Sequence, residues 1–182
     1  MSDAFRTALF IILSGGFQDA YTYFCRDEVF ANGQTGNVVL MSGNIFAGNW
    51  MVALRYLLPI IAFALGIYVS NLISGWFKEL KALHWRQLIV LLEISLLIAV
   101  GFMPQSLNVP ANIIISFVCA VQVQSFRMLR GNAYATTMCI GNLKSAVNML
   151  YAYFHKHDRE ALFKSFQYFA VIVLFALGAG AG

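Results

Sequence analysis

The sequence predicts an all-α membrane protein: a polytopic helical bundle of two inverted repeats, each carrying a re-entrant, discontinuous half-helix. Three observations lead there. Hydrophobic residues make up 60% of the 182 and charged residues only 11%, against about 25% charged in an ordinary soluble domain. Several runs approach or exceed the ~18 apolar residues that mark a membrane-crossing helix. Finally, short motifs recur in the same order along the two halves of the chain, and Lys and Arg are unevenly distributed between its loops. No alternating strands of the kind a membrane β-barrel needs are present, and no hydrophilic stretch is long enough for a soluble domain.

The first span is about Phe5 to Phe24; its opening apolar run is followed by Phe17-Gln18-Asp19 rather than a small-residue cleavage site, so it reads as a span and not as a secretion signal. A broken segment follows, with a half-helix from Thr35 to about Phe46. A long span covers about Met51 to Phe77. A charged loop, Lys78 to Arg86, leads to a span over about Gln87 to Phe102. The uncharged turn Met103 to Pro110 leads to the next span, about Ala111 to Met128. A second broken segment contains a helix from about Gly141 to Tyr153. The charged stretch His155 to Lys164 precedes a last apolar run from Phe163 to the end.

The repeat rests on three collinear matches. "GFQDAYTYF" (Gly16 to Phe24) matches "AVQVQSFRM" (Ala120 to Met128), "QTGNVV" (Gln34 to Val39) matches "CIGNLK" (Cys139 to Lys144), and "FALG" at Phe63 to Gly66 recurs at Phe175 to Gly178. The division is residues 1–102 for the first repeat and 103–182 for the second. In this alignment Gly182 falls over Ser70, so the natural chain is expected to continue through the rest of the last span and a counterpart of the Gln87 to Phe102 span.

Charge decides whether the broken segments cross the bilayer. The Lys78–Lys81–Arg86 loop is the most basic short connection and is assigned to the cytoplasm. If both broken segments cross, the twelve Lys and Arg residues split almost evenly. If both enter and leave on one side, Arg6, Lys78, Lys81, Arg86, Arg127, Arg130, Lys144, Lys156, Arg159 and Lys164 lie inside, and only Arg26 and Arg55 lie outside. The second arrangement obeys the positive-inside rule. Length agrees, since a twelve-residue helix reaches roughly 18 Å. Three full spans per repeat is an odd number, which inverts the second repeat against the first. Non-helical backbone at membrane depth survives where it is buried or lines a watery cavity, and transporters built this way bind substrate where paired half-helices meet.

The candidate substrate contacts follow from that arrangement. Gly33 and Gly36 permit tight turns, and Gln34 or Thr35 is placed to cap the half-helix, whose free N–H groups and dipole favour an anion or a polar group. Gln34, Thr35, Gly36 and Asn37 form the first set. Thr136, Thr137, Gly141 and Asn142 form the second. Gln18 and Asp19 lie inside the first span, where an ionisable group is costly and faces a cavity or a partner. Asp19 is a candidate proton-coupling carboxylate, or a partner of Arg26 or Arg55. Gln122 and Gln124 occupy the matching part of the second repeat. The structural alternative is that these groups only satisfy their own turns.

Other polar features carry less. Arg127 and Arg130 fit orientation and snorkelling. His84, His155 and His157 have no helical metal spacing, and Cys25, Cys119 and Cys139 form no CxxC pair, so no metal site or cofactor is predicted. Gly66, Ser70 and Ser74 are spaced for close helix packing. No GxSxG, HExxH, P-loop or dinucleotide fingerprint occurs, which argues against an enzyme. The net charge of +4 reports orientation and not nucleic-acid binding. The expected partners are the lipid bilayer and a small-molecule or ion substrate, with a homodimer as a further expectation.

"GGFQDAYTYF", "VFANGQTGNVVLM" and "RGNAYATTMCIGNLKSA" together resemble the YoaK-like family of bacterial multi-pass membrane proteins, a domain of unknown function. The resemblance spans nearly the whole chain. It implies a multi-pass protein of the bacterial inner membrane and supplies no substrate. The function expected from the residues is a transporter or channel for a small polar or anionic solute, bound between two half-helix N-termini near the bilayer midplane. The alternative is a non-transporting membrane scaffold or sensor, whose glycine-rich segments serve packing and oligomerisation.

Overall fold

The computed structural model describes residues 5–77, 85–126, 128–129, 132–133 and 139–182. The expectations placed on Lys78, Lys81, His84, Arg127, Arg130, Thr136 and Thr137 lie outside those residues. Seven helices are described: α1 (Phe5–Cys25), α2 (Gln34–Phe46), α3 (Trp50–Phe77), α4 (Trp85–Gly101), α5 (Asn108–Ser125), α6 (Cys139–Lys156) and α7 (Arg159–Ala181). A single 3₁₀ turn, Gln105–Leu107, precedes α5. Among the described residues the only extended pairing is the two-residue antiparallel contact of β1 (Met128–Leu129) with β2 (Asn132–Ala133). The span expected to reach Met128 therefore ends at Ser125, where the chain turns into this short ladder.

Among the described residues three helices are long and apolar enough to cross a membrane: α3, α5 with the turn before it, and α7. Large apolar side chains point outward on every helix except α5, among them Phe10, Phe46, Leu91, Ile140 and Phe163. Water does not favour such a surface on so many elements, whereas lipid does. Pro59 sits inside α3 and removes one helical donor, and Pro110 sits in the first turn of α5, where the missing N–H costs nothing.

The chain packs as two compact units. One runs from Gln18 to Ser125 and is organised on α5. Ten of the eighteen residues of α5 are buried, and Ala31, Val100, Ala111, Ile115 and Cys119 form one apolar cluster in this unit. Gly66 of α3 lies so close to α5 that an added Cβ would stand 2.5 Å from the Phe117 carbonyl oxygen. One turn further along α3, the hydroxyls of Ser70 and Ser125 are 2.9 Å apart. The small-residue spacing of α3 thus makes a close helix contact, as its sequence predicts.

The other unit joins the chain up to Phe17 with the chain from Phe126 onward. Ala8, Ile12 and Val171 form its buried cluster. Gly178 of α7 meets the Leu13 carbonyl and Gly16 of α1 meets the Phe175 carbonyl, each without room for a Cβ. Helix α6 packs on α7, where Ser165 donates to the Ala146 carbonyl at 2.8 Å. Asp158 caps α7 by accepting from the amides of Glu160 and Ala161, and the Glu160–Lys164 pair that follows is an exposed i,i+4 contact of small energetic value.

The two broken segments differ. Helix α2 has 13 residues, about 20 Å, close to the expected half-helix. Helix α6 has 18 residues, about 27 Å, and is longer at both ends than the Gly141 to Tyr153 expectation. Its first turn takes in Cys139, and its last turn carries His155 and Lys156, of which the Lys156 cation suits the negative end of the helix dipole.

Candidate functional site

The head of α2 is built in three steps. First, α1 ends at Cys25, and Asp27 and Glu28 both adopt the left-handed region, φ 67° and 57°. Such backbone is costly for non-glycine residues, and it reverses the chain within two residues. Second, the returning segment Val29 to Gly33 runs back along α1. Third, α2 starts at Gln34 with Gly33 at the N-cap and no side-chain cap. The expected capping by Gln34 or Thr35 is therefore not what occurs. The Gln34 amide instead donates backward to the Ala31 carbonyl at 2.8 Å, and Thr35 is exposed.

What meets the donors ahead of α2 is Asp19. Its Oδ1 accepts from the Asn32 amide at 2.9 Å and from the Gly33 amide at 3.4 Å. The donor-rich approach to the half-helix, read from sequence as an anion site, is thus wrapped around a carboxylate of the same chain. Backbone N–H groups are the right partners for an ionised carboxylate away from bulk water, since bonds to a charge are about twice as strong as neutral ones. Asp19 takes this place instead of pairing with Arg26 or Arg55.

Asn37 holds the other side of the turn. Its Nδ2 donates to the Phe30 carbonyl at 2.7 Å and to Gln34 Oε1 at 3.0 Å, while its Oδ1 accepts from the Phe30 amide at 3.0 Å. One amide side chain satisfies both backbone groups of Phe30, as a paired strand would. The Phe30 ring then covers Gly36, where a Cβ would come within 2.8 Å of it, and stacks on Tyr23 at 4.6 Å between centroids. Gln18 is buried beside this turn and accepts from the Cys119 thiol at 2.9 Å. The Asn32 side chain lies beside the same thiol.

Thus Gln18, Asp19, Gln34, Gly36 and Asn37 come together at one place, and Thr35 faces outward beside them. Of the second set, Gln122 on α5 and Asn142 on α6 are buried, as Gln18 and Asn37 are. Gly141 is exposed, and Thr137 lies outside the described residues.

Two residues were not singled out by sequence reasoning. Arg26, assigned to the outside and named only as a possible partner of Asp19, is 3% exposed. Its guanidinium donates to the carbonyls of Met103 (2.8 Å), Pro104 (3.1 Å) and Val100 (3.5 Å), to Asn108 Oδ1 and to Tyr21 Oη. It closes the C-terminal end of α4, where a cation favours the helix dipole, and ties the end of α1 to the α4–α5 turn. Asn112 donates to the Arg26 carbonyl at 2.6 Å, and Asn108 donates to Asp27 at 2.9 Å. Glu93 is the other: the single acidic residue of α4, 9% exposed. A lone carboxyl within "LIVLLEISLLIAV" was the signal that would have found it.

No curated protein and no solved structure matches the chain. The family comparison agrees with the resemblance carried by the glycine–asparagine blocks. Residues 7–182 match the family model described as a protein of unknown function (DUF1275), and the chain belongs to that family.

Proposed function

We propose that this chain is an integral-membrane transporter or channel for a small polar solute, and that the solute is handled at the head of α2 under control of the Asp19 carboxylate. The observation that carries this is the clasp of Asp19 by the Asn32 and Gly33 amides. Asp19 precedes the end of α1 by six residues, about 9 Å of helix. The chain therefore returns to that depth before α2 begins, which is the behaviour of a re-entrant segment. An ionised Asp19 already uses the turn's donors, so a free anion is disfavoured there. A neutral polar solute exchanging against a proton on Asp19 fits the geometry better.

In this reading the chain is two inverted repeats. Two kinds of contact support the repeat. Gly66 meets Phe117, and its equivalent Gly178 meets Leu13, which is itself the equivalent of Phe117. Each repeat's glycine-asparagine helix packs on the long helix that follows it, α2 on α3 and α6 on α7. The protein then belongs in a bacterial inner membrane, as the family resemblance implies, and it is not an enzyme. The scaffold reading draws on the same glycines, because close helix packing is all that a scaffold asks of them.

Proteoliposomes loaded with a pH-sensitive dye separate the two readings. Wild-type chain should move protons when a panel of small polar solutes is added outside, and Asp19→Asn should lose that response while inserting normally. Solute uptake by Asp19→Asn with unchanged pH dependence removes Asp19 from the coupling role.

A further inference from the structure

All three tryptophans of the chain stand at helix ends: Trp50 opens α3, Trp76 stands next to its end, and Trp85 opens α4. Trp50 and Trp76 are 64% and 73% exposed, so neither ring is used in the core. The helix directions sort these ends onto two sides. Along α3, Gly66 meets Phe117 and Ser70 meets Ser125, so α3 and α5 run the same way. Along α4, Leu92 and Leu96 lie against Phe117 and Val121, and Val100 clusters with Ala111, so α4 runs against α5. The start of α4 therefore lies toward the end of α3, and Trp85 stands on the side of Trp76, away from Trp50. The stretch Trp50–Trp76 counts 27 residues, about 40 Å of helix. A bilayer with its headgroup layers is ~40–45 Å thick, and its hydrocarbon alone ~30 Å. Arg55 is the one charged residue of that stretch, and Leu54, Ile61, Leu65 and Tyr68 expose large apolar or aromatic side chains along it.

We propose that the tryptophans are the chain's contacts with the phospholipid headgroup layers, Trp50 in one layer and Trp76 with Trp85 in the other. The indole body is apolar and its N–H needs a partner, so the ring settles where hydrocarbon gives way to ester and phosphate oxygens. A cation accompanies each side. Arg55 is exposed, and helical side chains lean toward the helix N-terminus, which carries its guanidinium toward the level of Trp50 and lipid phosphate. On the other side the Arg86 guanidinium lies 5.1 Å from the centre of the Trp85 ring. The same register gives the depth of the Asp19 clasp. Gln18 meets Cys119, which lies between the Phe117 and Ala120 that face Gly66. Gly66 falls in the middle third of the Trp50–Trp76 stretch, so the head of α2 is held inside the hydrocarbon layer. The inference rests on the membrane reading of the chain and holds whether or not α2 handles a solute.

Depth-dependent fluorescence quenching tests it on the full chain in phosphatidylcholine–phosphatidylglycerol vesicles. One lipid batch carries bromine on the acyl chain near the glycerol, the other at the chain end. Trp50→Phe, Trp76→Phe and Trp85→Phe, combined two at a time, leave one tryptophan each and keep an apolar ring at the others. Each remaining tryptophan should give a shallow-to-deep quenching ratio above one. Leu65→Trp, in the chain with all three replaced, should give a ratio below one. A ratio below one at Trp50 or Trp76, or a Leu65→Trp ring no deeper than they are, overturns the proposal. Quenching by aqueous acrylamide alone overturns it too, since the rings would then stand in water, and quenching by no reagent would bury them against protein. The wild-type chain should itself show the shallow preference, so the test stands even if a variant fails to fold. A chain that moves no solute but keeps these ratios removes the transporter reading and leaves the headgroup contacts in place.

Discussion

Helices α2 and α6 carry the same glycine–asparagine mark, yet they are built differently. The head of α2 is held from below by a charge, Asp19, and from the side by an amide, Asn37. Helix α6 is five residues longer (18 against 13), and one link that fixes it is the ordinary helix contact from Ser165 to the Ala146 carbonyl. In the repeat alignment Val123 stands where the first half has Asp19. Under the proposed repeat, the halves share a packing plan and differ in charge.

That contrast can be broken at several points. Asp19→Ala should have the largest structural effect, because the part-buried amides of Asn32 and Gly33 lose their acceptor, and a fully buried orphaned donor would cost about 1–3 kcal/mol. Asp19→Asn keeps an acceptor and should fold nearly as well as wild type, so thermal unfolding in detergent separates holding from charge. Asn37→Ala should come next, as both backbone groups of Phe30 lose their partner, again about 1–3 kcal/mol each. Both variants should open the Val29 to Gly36 turn to hydrogen exchange and leave α6 unchanged.

The packing plan should respond alike in both halves. Gly66→Leu and Gly178→Leu push a side chain into a helix backbone and should each cost roughly 1–3 kcal/mol or more. A large loss at one and none at the other speaks against equivalent contacts. Ser165→Ala removes one neutral hydrogen bond and should cost only about 0.5–1.5 kcal/mol, the smallest of the series.

Composition made the helical, membrane-compatible character legible, and turn residues placed the elements within a few positions. The Gly66–Ser70 contact was legible because small residues four apart on an apolar helix have few other uses. The role of Asp19 was half legible. Its burial in a helix marked it, but its partners are backbone amides, which every residue possesses and no sequence pattern advertises. Arg26 was missed for the same reason, since three of its five acceptors are main-chain carbonyls supplied from residues 100–104. The greater length of α6 was not legible at its C-terminal end, because His155 and Lys156 read as the start of a charged stretch, whereas they form the helix's last turn.

The most direct measurement is the accessibility of a single cysteine, at Thr35→Cys or at Gly141→Cys, in a chain whose Cys25, Cys119 and Cys139 are replaced by serine or alanine. Both positions are exposed on the glycine–asparagine helices. Inverted, water-reached half-helices predict that a membrane-impermeant thiol reagent labels Thr35→Cys from the outer face only and Gly141→Cys from the cytoplasmic face only. Labelling of both from the same face, or labelling only by a lipid-soluble reagent, would contradict the account.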